Sequence, residues 1–320
     1  LLGLYPDGVF FVPLAEATST ELATSKTARE LEVREVGNQT LLHTLTNYQR
    51  DKEMLLILDN FEQVTEAARF VSELLEAAPK LNIIVTSRIL LNLRAEHNYP
   101  VSTLSLPPLD GALSPDILGE NEATRLFVER ATAANPRLVI NEENAPLVAE
   151  ICYRLDGLPL AIELAAARVR LLSLAALLTR LSHRLKILTG GARDLPQRQQ
   201  TLRKAIDWSY DLLARDERKL LARLSIFAGG FTLDAAEAVC TVEHDLDIFG
   251  GIELLLDNSL LVQQEMVGGS IRFNMLEAIR EYAAERLEES GEFERMAGRH
   301  SQYYGQQMQE IGLAYFSADA

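Results

Sequence analysis

Hydrophobic residues in this chain follow two rhythms. In the first third they form short unbroken runs: GVFFVPL at 8–14, MLLILD at 54–59 and LNIIVT at 81–86. Runs of that length without alternation fit strands buried on both faces. Between them, at 38–50 and 64–78, apolar side chains recur at helical spacing. Strands separated by amphipathic helices predict a parallel sheet covered on both faces. Pro107 and Pro108, in LPPL at 106–109, close this part.

Beyond them the period is helical. NEATRLFVERATAA at 121–134 is one helix, a second runs from Asn141 to Leu155, and a third follows Gly157 and Pro159 through Arg170. Short helices continue to about 189, where Gly190, Gly191 and Pro196 mark a linker. Helices at 199–213, 215–227, 233–240 and 249–257 precede two strand-like pieces, 259–264 and 270–274, joined by Val267-Gly268-Gly269. Three helices and a small hairpin make a winged helix. The fold class expected is α/β at the front and mostly α overall. The expected domains are 1–108, 109–192, 193–274 and the start of a helical region at 275–320.

Composition narrows the function classes. Lys+Arg 31 against Asp+Glu 46 gives −15, which repels a phosphate backbone over most of the surface and argues against nucleic-acid binding by this chain alone. Cys152 and Cys240 are far apart, and the five histidines (His43, His97, His183, His244, His300) form no pair at ligand spacing, so neither a disulfide framework nor zinc is expected. The most apolar long run, 158–178, contains Glu163, Arg168 and Arg170, against a membrane span. No secretory leader is visible, and a reducing cytoplasm is the expected compartment.

The chemistry begins at Asp59. A parallel sheet presents ligand chemistry at the carboxyl ends of its strands, and the run 54–59 ends in Asp59 and Asn60. Asp59 reads either as a magnesium-holding carboxylate or as a turn or cap residue. A magnesium site of this kind needs a phosphate cradle, G-x-x-x-x-G-K-[ST]. The chain has no Gly-Lys dipeptide and no G-x-G, and it begins with Leu1 rather than Met, so the cradle is expected upstream of Leu1. The third run ends Thr86-Ser87-Arg88, where Arg88 reads as a γ-phosphate contact or as a surface arginine.

LLILDNFEQV, IIVTSR, DGLPLAIELAAARV, LPQRQQTLRKAIDWSYDLL, LSIFAGGFTLDAAEAVC and MLEAIREYAAERL occur in this order. Together they resemble the NB-ARC-type STAND ATPases of bacteria, close to the ATPases attached to LuxR- and AfsR-like transcriptional regulators. The resemblance covers nearly all of residues 1–310. It implies a P-loop domain without its first strand and Walker A loop, a small helical domain and a winged helix. These close over ADP and open with ATP and Mg2+, and protein partners or self-association follow activation. It makes Asp59 the Walker B magnesium residue, Arg88 the sensor arginine, and Gly157, Leu158 and Pro159 the GLPL motif near the adenine.

Three departures stand out. The P-loop is absent. Asn60 stands where many relatives carry a second acid, which implies slow hydrolysis, with Glu62 as a substitute or a plain helix-start acid. Met275-Leu276-Glu277 replaces Met-His-Asp, so Leu276 cannot give the hydrogen bond by which the histidine senses ADP. The leading expectation is a nucleotide-dependent signalling switch, inactive as an ATPase in this chain alone. The alternatives are a non-enzymatic protein-interaction scaffold and a DNA-binding winged helix using the local basic patch Arg198, Arg203 and Lys204. Trp208, Phe227 and Phe231 read as core rather than as a base-stacking platform.

Overall fold

The structure, a computed structural model, describes residues 3–34, 39–107, 114–181, 184–188, 201–242, 246–266 and 269–318. Gly190, Gly191, Pro196, Arg198, Pro108, His183, His244 and the hairpin residues Val267 and Gly268 lie outside them. The chain divides into two compact units, Leu1–Pro100 and Val101–Ala320.

The first unit is built on three parallel strands in the order β1 (Val9–Pro13), β2 (Leu55–Asp59) and β3 (Asn82–Val85). The links are helical. α1 (Thr20–Glu30) and α2 (Leu41–Gln49) join β1 to β2, and two short 3-10 turns with α3 (Ala68–Ala77) join β2 to β3. Ser19 and Thr40 cap α1 and α2 by accepting from the backbone of Leu22 and His43. Sequence reading missed α1, because TELATSKTARE shows little apolar periodicity.

One face of the sheet, Phe10, Val12, Leu56, Leu58, Ile83 and Val85, packs into a core with Leu45, Phe61, Phe70 and Leu74. The opposite face departs from expectation. Phe11, Ile57 and Ile84 stand in register across all three strands, yet Phe11 is 54% and Ile84 49% exposed. A parallel sheet is ordinarily covered on both faces; here that row is left open.

The second unit is helical. α4 (Pro115–Glu120), α5 (Glu122–Ala134), α6 (Ala145–Arg154), α7 (Pro159–Ala166), α8 (Leu174–Arg180) and α9 (Arg184–Ile187) come first. Phe127, Ile151, Cys152, Ile162 and Ala165 belong to their core. α10 (Leu202–Asp211) leads into the winged helix: α11 (Arg215–Leu224), α12 (Leu233–Cys240), α13 (Ile248–Asp257) and the antiparallel strands β4 (Val262–Glu265) and β5 (Ile271–Asn274). α14 (Glu277–Glu289) and α15 (Phe293–Ala318) follow. Phe227 and Phe231 are buried in contact with each other, as expected of core aromatics.

Two features lock the winged helix. Phe231 exchanges both backbone hydrogen bonds with Phe273, and the Arg272 guanidinium donates to the carbonyls of Gly229 and Gly230. Gly230 has φ +85°, and a Cβ there would meet the Phe273 carbonyl at 2.6 Å, so no other residue fits. The second is Arg223, fully buried, which donates to both Glu292 oxygens at 3.0 and 2.8 Å and to the Cys240 carbonyl at 2.7 Å. It ties α11 to the end of α12 and to the start of α15. Burial pushes the Cys152 and Cys240 thiols up to about 12, so both stay protonated and inert.

Candidate functional site

The carboxyl end of the first unit's sheet carries Asp59 and Asn60, with Arg88 a few residues past the neighbouring strand. β2 ends at Asp59, the central strand's last residue. Thr86, the first residue past β3, donates its hydroxyl to Asp59 Oδ1 at 2.7 Å. The same Thr86 Oγ1 accepts the Asn60 N–H at 3.0 Å, and the Thr86 carbonyl accepts the Phe61 N–H at 3.0 Å. These bonds turn the chain sharply off the sheet. Asn60 takes a left-handed conformation, φ 63° and ψ 48°, which Asn tolerates far better than a bulky or branched residue. The structure thus fixes the Asp59 carboxyl group in orientation while leaving it half-buried at the carboxyl end of the central strand.

Asn60 and Glu62 form a second pair. The Asn60 amide donates to Glu62 Oε1 at 3.3 Å, and Glu62 is only 7% exposed. It lies in a three-residue 3-10 turn, Phe61–Gln63, rather than at the open start of a long helix. It is a helix-start acid, as one reading of the sequence has it, but one buried against its neighbour. Arg88 lies three residues beyond β3 and is half-buried. A cavity of about 480 Å³ follows in the same loop, lined by Leu90, Asn92, Leu93, Arg94, Glu96 and Asn98, and Asp59 is not among its walls. Glu96 shapes that loop by accepting the N–H groups of Leu91 and Leu93.

Gly157, Leu158 and Pro159 lie in the second unit and have clear local reasons. Asp156 and Gly157 both have positive φ, 54° and 66°. A Cβ on Gly157 would sit 2.4 Å from the Leu104 carbonyl oxygen, so the close approach of the segment 101–107 requires glycine. Leu104 N–H donates to the Gly157 carbonyl at 3.0 Å. Leu158 is the N-cap of α7, and Pro159 opens that helix where its missing N–H costs nothing. Leu276, in the place of the resemblance's histidine, is the N-cap of α14 and packs half-buried on the core.

Sequence reading pointed to Asp59, Asn60 and Arg88 but not to Thr86 as the clamp on Asp59, although a hydroxyl directly after a neighbouring strand is a usable signal. It also missed Asp156, whose carboxylate accepts the Glu277 N–H at 2.9 Å across 121 residues.

Among the described residues no three His, Cys, Asp or Glu side chains gather around a metal position. Magnesium commonly needs only one or two carboxylates, with water and substrate phosphates completing its shell. Asp59 fits that part. The sequence contains no G-x-x-x-x-G-K-[ST] loop of the kind that holds phosphates.

A winged helix-turn-helix domain family matches residues 213–288. A candidate HTH-type transcriptional regulator of Mycobacterium tuberculosis H37Rv is 39% identical over 302 residues, covering 93% of this chain and 32% of that protein. An uncharacterized protein of the same strain is 36% identical over 274 residues, covering 84% of this chain and 66% of that one. The chain thus spans about a third of the length of the regulator it matches. Among solved structures, the Aeropyrum pernix ORC2 protein in its ADPNP–ADP complexes is similar at 13% identity with a TM-score of 0.40, covering 96% of this chain and 80% of that one. A STAND protein with a tetratricopeptide repeat sensor from Pyrococcus horikoshii is similar at 16% identity with a TM-score of 0.28, covering 94% and 43%. Structural likenesses that slight carry no weight for function.

Proposed function

We propose that residues 1–320 are the core of a nucleotide-dependent switch in a bacterial regulator of the NB-ARC-type STAND kind. The observation that carries this reading is the end of the first unit's sheet. Its central strand delivers a single half-buried carboxyl group, Asp59, oriented by the Thr86 hydroxyl at 2.7 Å. In this reading Asp59 holds Mg2+ against the phosphates of ATP or ADP, and Arg88 reaches the γ-phosphate. Gly157, Leu158 and Pro159 serve the base, and the phosphate cradle comes from outside residues 1–320. The mycobacterial regulator's name favours transcription as the output.

Turnover is expected to be slow. The Asn60 side chain is an amide and takes no proton from an attacking water, and Glu62 is committed to the Asn60 amide rather than open at the sheet's edge. The switch is therefore read out by which nucleotide is bound. In the full-length protein, Arg88→Ala should weaken ATP by at least about tenfold while leaving ADP within about twofold, because a charged hydrogen bond to a phosphate is worth about 1.5–3 kcal/mol and only ATP has the third phosphate. Parallel titrations with the two nucleotides decide it; an equal loss for both makes Arg88 structural.

The DNA-binding alternative meets a specific obstacle. In helix-turn-helix proteins a recognition helix enters the major groove and its flanks neutralise phosphates. Here α13, IFGGIELLLD, carries Glu253 and Asp257, is capped by Asp247 and has no Lys or Arg. Duplex DNA should bind residues 1–320 no better than non-specifically, with Kd above about 1 μM at physiological salt. A salt series by fluorescence anisotropy tests this; submicromolar, sequence-selective binding would restore the DNA reading.

A further inference from the structure

We infer that Asp156 is a cap supplied in trans for α14, coupling the Asp156–Pro159 turn to the end of the winged helix. That helix has no side-chain cap of its own. The first N–H groups of any helix have no partner within it, and a Ser, Thr, Asp or Asn at the N-cap ordinarily provides one. The N-cap of α14 is Leu276, whose side chain has no acceptor. Elsewhere in the second unit Thr201, Thr232, Ser173 and Asp247 do this locally for α10, α12, α8 and α13. α14 instead takes its acceptor from Asp156, whose Oδ2 receives the Glu277 N–H at 2.9 Å.

The position of Asp156 is set by the turn it begins. Its backbone is left-handed, as is that of Gly157. Gly157 in turn donates to the Cys152 carbonyl and accepts from Leu104. Any change in that turn therefore moves the acceptor on which the start of α14 depends. The far side of the connection is also built. One turn into α14 the Tyr282 hydroxyl donates to Asp207 Oδ1 at 2.7 Å, and Glu285 pairs with Arg203, both partners on α10. Arg280 pairs with Glu277 and stays with the helix itself. α14 is thus held at both ends of its first half, by the turn at its first residue and by α10 further along, with the helix itself joining the two sets of contacts. That nucleotide acts on these contacts through the Gly157–Pro159 turn rests on the function proposed above; the coupling itself does not.

Hydrogen–deuterium exchange on residues 1–320, without nucleotide, tests the coupling. Asp156→Ala should speed exchange of the Glu277–Arg280 amides roughly five- to thirty-fold, the range that a lost cap of about 1–2 kcal/mol implies. Asp156→Asn, which keeps an acceptor oxygen, should stay close to the parent. The double variant D156A/L276S supplies a cap locally and should restore protection. Unchanged exchange in Asp156→Ala overturns the inference. So does a double variant that stays unprotected or unfolded, because Asp156 would then serve the fold at large rather than this helix start. A null result in nucleotide titrations of the full-length protein would leave these outcomes intact, so the two proposals fail separately.

Discussion

Glu292→Ala should destabilise the second unit by about 3–5 kcal/mol, the cost typical of stranding one partner of a buried ion pair. Arg223 is fully buried in the winged helix, and Glu292 meets it with two hydrogen bonds while also pairing with Arg295. Without Glu292 the guanidinium keeps the Cys240 carbonyl but loses the carboxylate that meets it with two hydrogen bonds. For a unit of this size the thermal midpoint should fall by roughly 6–20 °C. Replacing both partners by apolar residues of similar volume, as in R223M/E292L, should recover most of the loss, since the expensive state is the half-broken pair. The pH dependence has a fixed sign. Hydrogen bonding to Arg223 holds the Glu292 carboxyl below its ordinary value of 4.5. The pair's contribution is therefore complete above that value and disappears as pH falls through the lower folded one. Calorimetric melts of parent and variants from pH 7 downward check both statements; a variant that melts with the parent would show the pair to be idle.

The second large effect concerns phosphate. Residues 1–320 should hold ATP at least about a hundredfold more weakly than a longer protein that carries the cradle, because several charged hydrogen bonds of about 1.5–3 kcal/mol each are missing. The same chain should self-associate through its open sheet face. Phe11, Ile57 and Ile84 form an apolar row on a parallel sheet, a surface that soluble monomers seldom leave bare. Fluorescent-nucleotide titration and light scattering of the two lengths, side by side, measure the pair of effects. Micromolar ATP binding by residues 1–320 would mean that the phosphate site has been misplaced.

What sequence revealed, and what it hid, follows from the range of the interactions. β1, β2 and β3 were legible because VFFVP, LLILD and NIIV are short and apolar throughout. That very continuity concealed the open face: Phe11 and Ile84 look no different from Val12 and Val85, and only the register and the helices on one side separate them. The winged helix was legible from α11 to β5 because its helices are periodic and Gly229-Gly230 interrupts them. α1 was not, since a capped helix with little apolar pattern is held by Ser19 and by burial of Ala23 and Ala28 rather than by a stripe. At the candidate site, Asp59 could be read from the strand that ends in it; the Thr86 hydroxyl is visible in sequence directly after β3, but its bond to Asp59 depends on the pairing of β2 with β3. Asp156 and Glu277 are 121 residues apart, and no local pattern joins them.

The central claim is that Asp59 brings magnesium to a bound nucleotide. Isothermal titration of the full-length protein and its Asp59→Ala variant with ATP, each with and without Mg2+, tests it most directly, with thermal melts to confirm that both are folded. Among the described residues Asp59 caps no helix, and its side chain accepts from the exposed Thr86. The variant should therefore melt close to the parent. It should lose the magnesium-dependent part of the affinity, at least about tenfold, or ~1.4 kcal/mol, while affinity for metal-free ATP changes little. Equal Mg-ATP affinity in the folded variant and the parent would contradict the account.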